Sequence, residues 1–442
     1  MSRKYFDIGI GKLDITPPLS IPYLGYYPKR HDFFAGIHDN LYVRSVFITD
    51  GKEKINIIGT DTFGFANDIL GKDKNFTQEV RKRIKEQTGI PEDCIMLTGS
   101  HIHSTPDTLN IRTLKDVPAS IFWLENIIEK IASATKLAMQ NTFKANLKIG
   151  KGEVKNISCN RRGEQFLDNE VIVFLFESLD REKNILMVNF ACHPVIVQVQ
   201  KLISADFVGV VENTVENVLK GVEGCVFLQG ACADINPAVG NTCNFHDVYS
   251  TGITLAGEVM KVYGYMVMND YPLQPVIVRA ISKNCLFPSR PLPDIKNVKN
   301  VHAQLKKKLR ETKSEKEKGS IISMLKMKEE ELQRLKEGNK KFQGEIQIFN
   351  IGNTLLVGIP GEVFCQMGLQ IKKECEPMIG VPVGYANGYL GYIAPPQAWE
   401  KGGYEVSCGP WSKVGPDAFD KIMETIKSMI MLIKKERNGK IK

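Results

Sequence analysis

The stretch Cys94-Ile95-Met96-Leu97-Thr98-Gly99-Ser100-His101-Ile102-His103-Ser104-Thr105-Pro106 begins as an apolar run and breaks into a polar loop. An apolar run of this length, closed by glycine and serine, reads as a buried strand. In extended backbone residues i and i+2 project to the same side, so His101 and His103 are expected to face one cavity at the strand's exit. A second run, 185–188, continues through Asn189-Phe190-Ala191-Cys192-His193-Pro194, where the proline stops the ladder. A third pattern, 345–357, ends at Gly358-Ile359-Pro360-Gly361 and delivers Glu362 to the start of a predicted helix, 362–373. All three put a polar side chain at the exit of a predicted strand, where open α/β sheets hold their ligands. Two or three imidazoles and a carboxylate form the ligand set of a catalytic zinc site. Each motif alone has a plainer explanation: loop histidines satisfied by backbone or water, a hydrogen-bonded core histidine, and a glutamate favoured by the dipole of a first helical turn.

Outward from these motifs, strands are expected at 41–49, 55–62, 94–98, 171–176 and 185–191, and helices at 76–87, 122–140, 207–219 and 254–262. The alternation predicts an α/β (mixed-sheet) single catalytic domain over 5–436, closed by a helix over 417–436 and followed by a basic tail, 437–442. In that last helix Met423, Ile426, Met429, Ile430 and Ile433 read as core, with a membrane-surface helix as the rarer alternative. Within the domain, 296–341 is a charged helical insertion. Val298, Val301, Leu305 and Leu309 recur at helical spacing, as do Ile321, Leu325, Leu332 and Leu335, which predicts a two-helix arm.

The chain has 442 residues, 43% hydrophobic and 24% charged, which suits a large packed core and excludes disordered or fibrous classes. Its net charge of +8 is local: 296–341 holds 15 Lys and Arg against 7 Glu, and the remainder has 43 residues of each sign. With acidic residues interleaved and no Phe, Tyr or Trp to stack on bases, the arm is not expected to bind nucleic acid. A solvated hairpin or a homo-oligomer contact is the expectation for it. Ten cysteines without CxxC spacing point to reduced thiols. No transmembrane run is present, and the first residues lack the apolar core of a secretory signal, so a cytoplasmic address is expected.

Two further constellations stand out. Gly384-Tyr385-Ala386-Asn387-Gly388-Tyr389-Leu390-Gly391-Tyr392-Ile393, with Gly402-Gly403-Tyr404-Glu405, either packs a loop or aims phenols at a substrate. Gln229-Gly230-Ala231-Cys232-Ala233-Asp234-Ile235-Asn236-Pro237 is a strand exit whose Asp-x-Asn-Pro is turn chemistry or a site. His38 and Asp61, near strand boundaries, are further candidates to line the cavity. The phosphate-loop, dinucleotide, GxSxG and HExxH motifs are absent.

At these residues the sequence resembles the neutral/alkaline non-lysosomal ceramidase family, over the N-terminal catalytic domain and so most of the chain except the arm. The resemblance runs through Gly9-Ile10-Gly11-Lys12-Leu13-Asp14-Ile15-Thr16-Pro17-Pro18, Gly25-Tyr26, Ala35-Gly36-Ile37-His38-Asp39 with Arg44, and Ser100-His101-Ile102-His103-Ser104. It continues through 189–194, Ser204-Ala205-Asp206, 234–237, Gly361-Glu362-Val363 and Gly391-Tyr392. What it implies is a zinc hydrolase with Zn2+ held by His101, His193, Glu362 and Tyr392. His103, Arg161 and Tyr404 correspond to substrate-contacting residues, with the adjacent Arg162 as the alternative register. The family's serine in Asp-x-Ser-Pro, assigned in some accounts as a nucleophile, is Asn236 here, and an amide cannot take that role. Neither the secretion signal nor the C-terminal β-sandwich-like domain of the secreted ceramidases is expected here.

The expected reaction is therefore hydrolysis of a linear amide in a small-molecule N-acyl or lipid-like substrate by metal-activated water, with ceramide disfavoured by Asn236 and with an ester or cyclic amide as alternatives. His103 would handle the proton, and Arg161 and Tyr404 would hold the developing oxyanion. The rival expectation from another class is a metal-stabilised binding or scaffold protein without turnover, docking through the arm.

Overall fold

Strand Glu170–Ser178 reads Glu-Val-Ile-Val-Phe-Leu-Phe-Glu-Ser and is buried over nearly its whole length, as a β-rich run covered on both faces must be. It is internal to an eight-stranded mixed sheet. From edge to edge the sheet runs Val222–Gln229, Asn184–Phe190, Glu170–Ser178, Phe143–Glu153, Phe6–Asp14, Tyr42–Thr49, Lys54–Thr60 and Ile95–Gly99. The pair at each edge is parallel and the pairs between them are antiparallel. The structure, a computed structural model, describes residues 4–22, 24, 33–111, 114, 117–268 and 270–439. Gly25-Tyr26 and the last residues of the expected tail, 440–442, lie outside the described residues.

The sheet curls until its edges approach one another, and glycine makes this possible. A Cβ on Gly59 would stand 2.6 Å from Val226 Cγ1, and one on Gly224 would stand 2.5 Å from Ile10 Cδ1. The exits of Ile95–Gly99, Asn184–Phe190 and Val222–Gln229 are thereby brought together. Gln229 fastens them: its buried amide Nε2 donates to Ser100 O and to Cys192 O, each at 2.9 Å.

A second, four-stranded sheet runs Val278–Pro288, Lys341–Ile351, Thr354–Gly358 and Ile379–Val383. The expected single strand 345–357 is in fact a hairpin, because Gly352 takes a positive φ of 61° that turns the chain. The expected helix from residue 362 is corrected as well. Glu362–Val363 is a short strand paired in parallel with Tyr392–Ile393, and the helix is Cys365–Cys375. Helix Ala418–Gly439 lays Ile422, Met423, Ile426, Met429, Ile430 and Ile433 into the core beside this sheet, and it takes up residues 437–439 of the expected tail. All ten cysteines are free thiols and eight are buried. Among the described residues no helix is long and apolar enough to cross a membrane.

The arm enters the second sheet as a connection between neighbouring strands, since Pro288 and Lys341 face each other across the ladder. Its helices, Ile295–Glu311 and Glu315–Glu337, are capped by Asp294 and Ser314. Val298, Ile321 and Leu325 are buried and the other five stripe residues half-buried, so the stripes pack inward while most of the arm's described surface is exposed. Arg334 then ties the arm to the body, donating to the carbonyl oxygens of Gly409, Ser412 and Lys413 at 2.8–3.0 Å.

Candidate active site

His101 follows its strand in the left-handed region, with φ 67°, while its N–H donates to Thr62 O. A bulky residue is costly there and stays only when its surroundings fix it. The ring is held between two aromatic rings, Phe63 at 4.5 Å and Tyr385 at 4.0 Å, both stacked nearly parallel to it. His101 and His103 do converge, yet through this turn and not through the alternation of an extended strand.

The backbone also fixes how the imidazoles present themselves. His101 Nδ1 lies 3.0 Å from Phe63 O, and His193 Nδ1 lies 2.5 Å from Cys232 O and 3.2 Å from Ile235 O. A carbonyl only accepts, so each Nδ1 carries the proton, and a neutral ring then turns its Nε2 lone pair inward. His193 is neutral at ordinary pH, because burial lowers its pKa to about 4 against the upward pull of Glu362. Burial likewise holds His103 well below the usual imidazole range.

Three acceptors meet at one point. Glu362 Oε2 is 3.3 Å from His193 Nε2 and 3.6 Å from His101 Nε2, and His103 Nε2 is 3.2 Å from His101 Nε2. The three imidazoles offer ring nitrogens that all lie within 4.8 Å of one another. Burial alone would raise the Glu362 pKa, and only His101 and His193 rings carrying a proton toward it would bring it well below the ordinary carboxylate range. Lone pairs and a carboxylate facing one another in a dry interior repel unless a cation lies among them. With zinc–ligand distances of about 2.0–2.2 Å, tetrahedral neighbours stand about 3.3 Å apart, so the donor set and its spacing fit a zinc-like ion.

On the adjoining wall the ladder places Tyr392 directly opposite Glu362. Arg161 Nη2 donates to the Tyr392 hydroxyl at 3.0 Å, and Arg161 Nη1 lies 3.4 Å from Asn236 Oδ1. Burial works against the Arg161 charge, and Tyr392, Glu405 and Glu362 outweigh it. Arg162 points elsewhere, to Glu405, Glu164 and the Gly402 carbonyl, so of the two arginines it is Arg161 that reaches Tyr392 and Asn236. Tyr404, half exposed, stacks on Trp411 at 4.7 Å with its ring 6.0 Å from that of Tyr392, which puts it at the rim. His38 and Asp61 are corrections: His38 stacks on Phe245 at the surface, and Asp61 belongs to a buried ion cluster around Arg44.

Four residues here carry no assigned role in the sequence motifs. Tyr389 donates its hydroxyl to Glu362 Oε1 at 2.6 Å, which fixes the carboxylate with Oε2 toward the histidines. Glu405 holds Arg161 Nε at 2.9 Å and Arg162 Nη1 at 2.6 Å. Tyr385 sandwiches His101, and Gln229 clamps the two histidine loops. The tyrosines and Glu405 stand inside quoted glycine-rich motifs, which was the available signal. Gln229 had none beyond its place at a strand's end.

Comparison with known proteins gives the family and the fold. The family model described as "Neutral/alkaline non-lysosomal ceramidase, N-terminal" matches residues 6–253, which include His101, His103, Arg161, His193 and Asn236, while Glu362, Tyr392 and Tyr404 lie beyond the match. The neutral ceramidase of Drosophila melanogaster is 25% identical over 171 residues, 37% of this chain and 23% of its own length. Neutral ceramidase 3 of Arabidopsis thaliana is 23% identical over 189 residues, 41% of this chain and 25% of its own length. The similarity thus spans about a quarter of the curated relatives. In fold, the crystal structure of neutral ceramidase from Pseudomonas aeruginosa matches with a TM-score of 0.74 at 18% identity, covering 98% of this chain and 75% of that one.

Proposed function

Because the chain belongs to the neutral/alkaline non-lysosomal ceramidase family, we propose that it is a zinc-dependent hydrolase cleaving the linear amide of an N-acyl, lipid-like small molecule. The observation that carries this reading is the convergence of Glu362 Oε2 with His101 and His193, whose Nδ1 atoms the backbone keeps on carbonyls. His101, His193 and Glu362 would hold the ion, with Tyr392 as fourth ligand from the register that sets it opposite Glu362. When bound, zinc supplies Lewis-acid polarisation of a carbonyl and a water acidified to a pKa of about 7.

The chain's own residues do the rest. His103, neutral and 3.2 Å from His101, accepts a proton at Nε2 and returns it to the leaving amine. Arg161, kept charged by Glu405 and aimed through Nη2 at the Tyr392 oxygen, stabilises negative charge growing on the acyl oxygen. Tyr404 at the rim and Asn236 beside Arg161 shape where the substrate lies. No serine nucleophile is required, which accommodates Asn236.

The test is metal content and turnover measured together on an N-acyl amide panel. His101→Ala should lose both zinc and activity, whereas His103→Ala should keep about one zinc per chain and lose about 10²–10⁴-fold in kcat. Full zinc in His101→Ala would overturn the ligand assignment. Zinc in the unaltered protein without release of amine from any panel member would favour the scaffold reading.

A further inference from the structure

The arm and the body enclose a second cavity, of 510 Å³, between the end of Glu315–Glu337 and the loops around Asn67, Tyr389 and Cys408. Its size is that of ordinary small-molecule sites. None of His101, His103, His193 or Glu362 lines it. Phe342, Leu390, Pro410 and Tyr389 give it apolar surface.

Its charge is unbalanced. Lys72, Arg334, Lys340 and Lys413 line it against Asp68 and Glu337. Lys340 is taken by Glu337 at 2.6 Å, and Arg334 by the three carbonyl oxygens that anchor the arm. Lys413 is different. Its Nζ reaches Tyr389 O at 3.2 Å and lies 5.1 Å from the centre of the Tyr389 ring, and among the described residues no carboxylate stands within ion-pair distance of it. Burial pulls its pKa down, while Asp68 and Asp107 act the other way from further off. An ammonium with three donors and one near acceptor, set beside apolar walls, recognises an anionic head on an apolar body.

We infer that this cavity binds an amphiphilic carboxylate, with the carboxylate on Lys413 and the chain against Phe342, Leu390 and Pro410. Tyr389 joins the cavity to the candidate active site: its ring is a wall here, and its hydroxyl holds Glu362. A carboxylate is also the class of product the proposed hydrolysis releases. Binding at Lys413 nevertheless stands apart from that reading, since its test reads affinity and not turnover.

Octanoate titrated into the full chain as purified, followed by calorimetry, should bind at one site that Lys413→Met weakens at least tenfold. Gln333→Trp, on an exposed arm position at the cavity wall, should block the site with little risk to folding and give the same loss. Octan-1-ol should bind at least tenfold more weakly than octanoate. Unchanged octanoate affinity in Gln333→Trp, or equal affinity for the alcohol, would overturn the inference. So would binding that survives both cavity variants and disappears in His193→Ala, because octanoate would then sit at the histidine cluster.

Discussion

Two buried polar clusters, one around Arg44 within the large sheet and one at its strand exits, are built on opposite principles. In one, Arg44 is surrounded by carboxylates: Nη1 meets Glu212 at 2.6 Å and Asp61 at 3.2 Å, and Nε meets Glu216 at 3.0 Å, with Lys12 completing Glu216 at 2.6 Å. Burial works against the Arg44 charge, and the carboxylates outweigh it and raise its pKa. The chain supplies its own cation there. In the other cluster His101, His193 and Glu362 turn acceptors toward one another, and the nearest guanidinium, Arg161, is engaged with Tyr392 and Glu405. A closed ion cluster holds a fold together, whereas converging acceptors without a protein cation describe a binding site.

The contrast breaks most readily at Arg44. Arg44→Met strands buried carboxylates and should cost about 3–5 kcal/mol, seen as a fall in Tm or loss of soluble protein, with zinc per folded chain unchanged. A stable Arg44→Met variant would show that the first cluster is not structural.

Acid should separate the clusters by up to about 3 kcal/mol. The folded pKa of His193 is lowered to about 4 from 6.5, so the unfolded chain takes up its proton first as pH falls. Stability of the metal-free protein should therefore be lost between about pH 6.5 and 4, with no further loss from this residue below that. Tm against pH for metal-free protein and for His193→Gln checks this, since the variant should lack that part of the slope while sharing every other titration.

The smallest effect sharpens the comparison. Tyr389→Phe leaves every ligand atom in place and removes only the hydrogen bond to Glu362 Oε1. It should reduce zinc affinity or activity by about 10–100-fold, with Tm of the metal-free protein nearly unchanged. Equal affinity in a competition with a coloured chelator would show that the phenol does not orient the carboxylate.

Much of this was legible in the chain because it is local. The apolar run into Ser100-His101-Ile102-His103 and the Asn189–Pro194 stretch are strand exits by pattern alone, and the structure has strands Ile95–Gly99 and Asn184–Phe190 there. Glu362 was misplaced in secondary structure, since a glutamate after Pro-Gly looks like a helical first turn. Its pairing with Tyr392, 30 residues on, is a contact no local rule contains. Strand Val222–Gln229 shows in the sequence only through its exit at Gln229, because Gly224 weakens the strand pattern and serves a distant side chain.

By itself the sequence determined which residue types stand at which exits: two imidazole loops, a glycine-bracketed carboxylate, a tyrosine-rich turn and a charged two-helix arm. Periodicity, turn chemistry and composition act over a few residues, so they can be read in order. Only the tertiary structure decided that the curled sheet, clamped by Gln229, turns those exits toward one point, that Phe63 O and Cys232 O set the tautomers, and that Tyr389 aims Glu362. Those contacts join residues tens to hundreds of positions apart, and they exist only once the packing that creates them has formed.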